Sequence, residues 1–152
     1  MRGEKVSRAP LLLFAVSGCL LLGALGFQHF GGLAPCEMCY WQRYAHCAVV
    51  AIALLAMLTR NRALALLAIV AMLVAAGLGL YHAGVEQKWW EGMTACTAPP
   101  VTSGNMFEEM LGKPLVRCDE IPWSLFGISM AGWNAIISGL AALVAFRLWK
   151  RA

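Results

Sequence analysis

Four long apolar runs, Leu11–Phe27, Arg43–Leu58, Ala63–Ala83 and Leu125–Leu148, are separated by stretches in which Gly, Pro and charged residues gather. Each run is close to the roughly 20 residues that a helix needs to cross the hydrocarbon core of a bilayer, although the second is short and opens on a charge. The pattern predicts transmembrane helices at about 11–28, 42–58, 63–83 and 125–148. Two connections lie on one side, a short loop at about 29–41 and a long one at about 84–124. On the other side Thr59-Arg60-Asn61-Arg62 alone joins the second and third spans, which predicts a tight hairpin. Gly31-Gly32, Pro35, Pro99-Pro100, Pro114 and Pro122 make the two loops irregular backbone, which cannot face lipid but can lie above it. Within the long loop, Asn105 as an N-cap followed by Met106-Phe107-Glu108-Glu109-Met110-Leu111 predicts a short amphipathic helix on the bilayer surface. With no internal repeat, the expected fold is all-α, an antiparallel four-helix transmembrane bundle spanning 1–152 as one domain.

Composition agrees: the chain is 61% hydrophobic and 13% charged, with mean hydropathy +0.68, too apolar to cover an aqueous surface. The basic residues give an orientation. Arg2, Lys5, Arg8, Arg60, Arg62, Arg147, Lys150 and Arg151 fall on the side of the short hairpin and the two termini, the cytoplasmic side by the positive-inside rule. The other side holds Lys88, Lys113 and Arg117, with Arg43 at its boundary, and every acid except Glu4. The net charge of +4 is therefore a topological signal and gives no support to nucleic-acid binding. Tyr40, Trp41, Tyr44, Trp89, Trp90 and Trp123 cluster near the outer boundary and Trp149 marks the inner one, where amphipathic rings sit. A cleaved signal peptide and a lipoprotein signal at Val16-Ser17-Gly18-Cys19 are alternatives for the first span. The apolar run continues past Cys19 without a small-x-small cleavage site before a polar mature chain, so the expectation is a retained helix.

The candidate chemistry is in the cysteines. On this topology Cys36, Cys39, Cys96 and Cys118 lie in the outer loops, and Cys19 and Cys47 inside helices. Two pairs on the oxidising side are where disulfides persist. A C-x-x-C disulfide closes a small ring and exchanges readily. Pro35 precedes Cys36, which is expected to begin the second helix, where unpaired N–H groups favour a thiolate. At about 100° per residue Cys36, Cys39, Arg43, His46 and Cys47 project to one helix face, with Arg43 one turn deeper than Cys39. A permanent cation beside apolar surroundings needs an anionic or carbonyl partner, and a thiolate at Cys39 or the oxygen of an electron acceptor would supply one. His82 ends the third span at the depth of Cys39 and Arg43 and is placed to hydrogen-bond an acceptor carbonyl; His29 and His46 carry weaker claims.

Blander readings stand beside these. The C-x-x-C pair with His82 also suits a metal-binding or metal-transfer protein, as do the eight methionines. Arg43 could snorkel to headgroups, Cys96 and Cys118 could form a passive cross-link, and Cys19 and Cys47 read as small apolar packers.

Taken together, four spans, P-C-E-M-C-Y-W-Q-R opening the second, a cysteine pair in the long outer loop and a histidine ending the third resemble the bacterial disulfide bond formation protein B family, DsbB, over approximately Leu11–Phe146. A vitamin K epoxide reductase-like arrangement fits the cysteine positions less well. The resemblance implies a protein-dithiol:quinone oxidoreductase of the bacterial inner membrane, both termini cytoplasmic and the redox loops periplasmic. It implies that Cys36 and Cys39 are the inner redox pair, in contact through Cys39 with ubiquinone or menaquinone. Cys96 and Cys118 would be the exchangeable loop pair, with Cys96 forming the mixed disulfide with a DsbA-like periplasmic dithiol oxidase. Arg43, His82 and Met130 would line the quinone site.

Overall fold

The computed structural model of the chain describes residues 8–92 and 116–152. Its helices are α1 (Arg8–His29), α2 (Glu37–Thr59), α3 (Arg62–Glu86) and α4 (Met130–Lys150), and a two-stranded hairpin, β1 (Ser124–Leu125) and β2 (Ile128–Ser129), precedes α4. All four helices are long and apolar enough to cross a membrane. At 1.5 Å per residue the shortest, with 21 residues, is about 31 Å long, enough to span the hydrocarbon core.

The helices form an antiparallel bundle in which α3 packs on α2 and α4, and α1 packs on α2 and α4. In lipid, helix association rests on close packing and interhelical hydrogen bonds, so small residues collect at the seams. Ala53, Ala68, Ala141, Ala142 and Ala145 are buried there around Leu13, Val49, Ile69 and Met72. Leu22, Leu55, Leu73, Leu80 and Leu140 point outward, as a lipid-facing surface requires.

Local signals set the helix ends. Arg60 adopts a left-handed conformation that closes α2, and the Asn61 side chain caps α3 by accepting from the amides of Ala63 and Leu64. Arg62 stacks over Trp149, 5.0 Å from the ring centroid. The Trp149 indole N–H donates to the Arg62 carbonyl at 3.1 Å, tying the α2–α3 turn to the end of α4. Arg8, Arg60, Arg62, Arg147, Lys150 and Arg151 thus share one end of the bundle, opposite the cysteine pair.

Two boundaries differ from the sequence pattern. Helix α2 begins at Glu37 behind its N-cap Cys36, as the Pro35-Cys36 signal predicts and five residues before the 42 that hydropathy gives, because Glu37, Gln42 and Arg43 dilute the hydropathy of its first two turns. Helix α4 begins at Met130, five residues after the expected 125. Phe126 and Gly127 both have positive φ (53° and 76°), the two-residue turn that closes a hairpin. Ser129 then caps the helix by accepting from the Gly132 amide at 3.1 Å. The expected amphipathic helix at Asn105–Leu111 lies outside the described residues.

Candidate active site

The α2 N-terminus positions Cys36 and Cys39, the candidate redox pair. Cys36 is its N-cap and Cys39 lies one turn in, and both carry free thiols. The Cys36 thiol donates to Cys39 Sγ at 3.1 Å and accepts from the Cys39 amide at 3.4 Å. The hydrogen bond to Cys39 and burial hold the Cys36 thiol well above the ordinary thiol range. The one helix amide that reaches its sulfur is outweighed by the proton it shares with Cys39.

Beneath the pair lies a polar chain drawn from all four helices. His82, 3% exposed, sets Nε2 3.6 Å from Cys36 Sγ, 3.2 Å from the Cys118 carbonyl and 3.8 Å from Glu86 Oε1. Its Nδ1 lies 2.8 Å from Gln42 Nε2. Gln42 Oε1 accepts from Asn134 Nδ2 at 2.6 Å. Asn134 Oδ1 lies 2.8 Å from His46 Nε2 and accepts from Ser138 Oγ at 2.9 Å. His46 Nδ1 reaches Ser17 Oγ at 3.1 Å. Glu86 accepts a short hydrogen bond from the Ser129 hydroxyl. Among the described residues no buried side-chain nitrogen or oxygen lacks a partner, as a low-dielectric interior demands.

Beside the pair a cavity of about 580 Å³ is lined by apolar Leu20, Phe27 and Ile137 and by Cys39, Arg43 and Met130. The Arg43 guanidinium donates from Nη1 to Gln28 Oε1 at 2.5 Å and from Nη2 to the Ala24 carbonyl at 3.2 Å, and lies 5.5 Å over the Tyr40 ring. His82 also borders this cavity, its nitrogens turned toward Gln42 and Cys118.

Cys118 is fully buried and packs with Cys36, Met38 and Val85, so one loop cysteine stands against the inner pair. Its segment is anchored by Asp119, which takes two hydrogen bonds from Arg117, at 3.0 and 2.8 Å, and an ion pair from Lys88. These cations hold the Asp119 carboxyl well below the usual carboxylate range. Cys96 lies outside the described residues.

The expected common face of α2 holds in part. The stripe buried against the other helices is Met38, Gln42, His46, Val49, Ala53 and Ala56. Cys39 and Arg43 flank it toward the cavity. Cys47 is turned further round onto the lipid-facing surface, and Cys19 is exposed at the edge of the cavity, so neither is a core packer. Sequence reasoning missed Gln42, Asn134, Glu86 and Ser17. Polar residues inside apolar runs were the signal that could have found them.

The chain matches the family model for disulfide bond formation protein DsbB over residues 6–148. A disulfide bond formation protein B of Albidiferax ferrireducens is 33% identical over 165 residues, covering 96% of this chain and 91% of that protein. Relatives of the same name from Azoarcus sp. and Pasteurella multocida are 33% and 30% identical and cover 94% and 90% of the chain, with 92% and 81% of their own lengths matched.

Proposed function

The chain belongs to the DsbB family of disulfide bond formation proteins, and from that premise we propose that it is a periplasm-facing protein-dithiol:quinone oxidoreductase of the bacterial inner membrane. The observation that carries this reading is the pair of thiols 3.1 Å apart at the lip of a membrane-embedded cavity with a fixed guanidinium on its wall.

The chemistry runs as a series of thiol–disulfide exchanges. The thiolate of a reduced DsbA-like dithiol attacks Cys96 in a Cys96–Cys118 disulfide, and Cys118 leaves as a thiolate. Cys118 then attacks Cys36: the Cys118–Cys36 bond forms, the Cys36–Cys39 bond breaks, and Cys39 departs with the electron pair. The second partner thiol displaces Cys96, which recloses on Cys118 and releases Cys36. The partner leaves as a disulfide, and the Cys36–Cys39 pair holds two electrons and two protons. The packing of Cys118 on Cys36 supports the second exchange directly.

The cavity fits a flat apolar ring with carbonyl oxygens, since its walls are mostly apolar and Arg43 has N–H groups beyond the two given to Gln28 and Ala24. Ubiquinone or menaquinone would supply a two-electron, two-proton acceptor there. Arg43 would hold its oxygen, with Met130 and the apolar wall orienting the ring. Such a carrier answers a physical need. A DsbA-type dithiol, whose potential of about −120 mV is an established property of that protein, yields electrons only to a strong acceptor.

The test is quinol formation by purified protein from a reduced thioredoxin-fold dithiol and a short-chain ubiquinone. Turnover abolished by Cys36→Ser is expected; absence of quinol, or undiminished turnover in Cys36→Ser, overturns the reading. A second reading has one observation in its favour: the ligand atoms of Cys36, Cys39 and His82 all lie within 4.8 Å of one another, close enough to hold a metal ion. Stoichiometric metal with free thiols in non-reduced protein would support it, whereas two disulfides and no metal would remove it.

A further inference from the structure

The hydrogen bonds under the redox pair have a direction, and two backbone carbonyls set it. A side-chain amide nitrogen only donates and a carbonyl oxygen only accepts, whereas a neutral imidazole donates from one nitrogen and accepts at the other. Flipping both amides and both imidazole tautomers would satisfy each internal link of the chain Ser17, His46, Asn134, Gln42, His82 equally well, but Gln42 Nε2 also donates to the Met38 carbonyl at 3.3 Å, which a flipped amide would face with its oxygen. The end at His82 is not reversible. Its Nε2 faces the Cys118 carbonyl at 3.2 Å and the Glu86 carboxyl at 3.8 Å, and a lone pair there would confront oxygen lone pairs. Nε2 must therefore carry the hydrogen. Nδ1 is then an acceptor and takes the Gln42 N–H at 2.8 Å. Gln42 Oε1, the atom left over, accepts from Asn134 Nδ2 at 2.6 Å. Asn134 Oδ1 accepts from His46 Nε2–H at 2.8 Å and from Ser138, and His46 Nδ1, left as an acceptor, lies 3.1 Å from the Ser17 hydroxyl, whose proton Met72 Sδ at 3.5 Å shares.

We propose that Gln42, held by Asn134 and His46, is a positioning residue that locks His82 as the Nε2–H tautomer, so that this N–H clasps the Cys118 carbonyl and docks the loop cysteine on Cys36. From His46 onward the side-chain links run donor to acceptor toward the sulfur end, and the last one grips the backbone of the residue that must attack. The Cys118 main chain is thereby fixed next to Cys36. Both nitrogens of His82 are committed to protein groups, which assigns this histidine to the Cys118–Cys36 step. The inference rests on the disulfide-exchange reading, and it also separates that reading from metal binding, because a metal at Nε2 needs the lone pair there and the reversed chain.

The test has two parts. With only three histidines in the chain, nitrogen NMR of histidine-labelled full-length protein, with the His82 signals assigned by their loss in His82→Gln, reads the tautomer without any turnover. A neutral His82 protonated at Nε2 is expected; protonation at Nδ1 overturns the proposal even if the protein makes disulfides. The second part measures the effective concentration of Cys118 toward Cys36 in a Cys39→Ser, Cys96→Ser background, as the fraction of Cys36–Cys118 disulfide in glutathione redox buffers. Gln42→Leu should lower it about tenfold, the equivalent of one buried hydrogen bond. Gln42→Met, closer in shape, gives the same comparison if the leucine variant does not fold. An unchanged effective concentration in the folded variant refutes the positioning role. Loss of quinol formation with the tautomer and the docking intact would instead refute the oxidoreductase reading.

Discussion

Two glycines two residues apart on α3 provide a matched test of how closely the helices approach at the active site. A methyl group at Gly79 would lie 2.9 Å from the Ala135 amide nitrogen, 3.0 Å from the Ala131 carbonyl oxygen and 3.0 Å from Asn134 Nδ2. Two of these are α4 backbone atoms that cannot swing aside. Gly77 on the same helix has nothing within 4 Å of the added methyl. Both substitutions gain the helix propensity of alanine over glycine, about 1 kcal/mol. Only Gly79→Ala incurs overpacking, which costs about 1–3 kcal/mol in a close-packed interior. Gly77→Ala should therefore stabilise the fold by up to about 1 kcal/mol and Gly79→Ala should be neutral to destabilising by about 2 kcal/mol. The difference between them is the overpacking cost itself. Reversible unfolding in mixed micelles with increasing sodium dodecyl sulfate, followed by tryptophan fluorescence, measures both. Because the methyl also presses on Asn134, Gly79→Ala should lower Cys36–Cys118 exchange while Gly77→Ala leaves it unchanged. Equal stabilisation by the two alanines would refute the close α3–α4 contact from which Asn134 reaches Gln42.

Other outcomes follow from the same geometry. Arg43→Ala should raise the apparent quinone KM by at least tenfold with little change in thermal stability, since charge-assisted hydrogen bonds in an apolar pocket exceed an exposed charge in value; an unchanged KM in steady-state quinol assays would remove Arg43 from the site. Cys47→Ala should leave turnover nearly intact, because its side chain is exposed on the outside of the bundle, away from the cavity lining; a severalfold loss would place a fifth thiol in the relay. The folded-state pKa of Asp119 is depressed by Arg117 and Lys88, so the anchoring it gives is present above the ordinary carboxylate range and is lost as pH falls below it. Alkylation of Cys118 by a reagent active in acid should accelerate as pH drops from about 5 toward 2, and Asp119→Asn should show the faster rate already at pH 5. A rate independent of both pH and the substitution would contradict the anchoring.

The bundle and its connections were legible because hydropathy reports burial in lipid directly: the Thr59–Arg62 turn and the third span match the pattern almost residue for residue. Where the pattern misplaced a boundary, local chemistry outweighed hydropathy. Cys36 caps a polar first turn of α2 that a window average hides, and Phe126-Gly127 makes a hairpin inside a run that reads as continuously apolar. The C-x-x-C pair, Arg43, His82 and Met130 were found from spacing and resemblance, and the fold brings all of them to one cavity. Gln42, Asn134 and Glu86 were not found, because each is a single polar residue whose meaning depends on partners 40 or more positions away, such as the 92 between Gln42 and Asn134. Cys47 shows the opposite failure. A helical projection placed it beside Arg43, but it cannot say how far round the helix the neighbouring helices extend.

Delivery of two electrons from the Cys36–Cys39 pair to a carrier in the membrane can be followed in the Cys96→Ser, Cys118→Ser protein, where the inner pair cannot pass its disulfide to the loop. Substoichiometric ubiquinone analogue is added to the fully reduced protein under anaerobic conditions, and mass spectrometry maps which cysteines still alkylate. Cys36 and Cys39 should become resistant together, one pair for each quinone consumed, while Cys19 and Cys47 remain reactive. Quinone left unreduced, with Cys36 and Cys39 still alkylating in full, would contradict it.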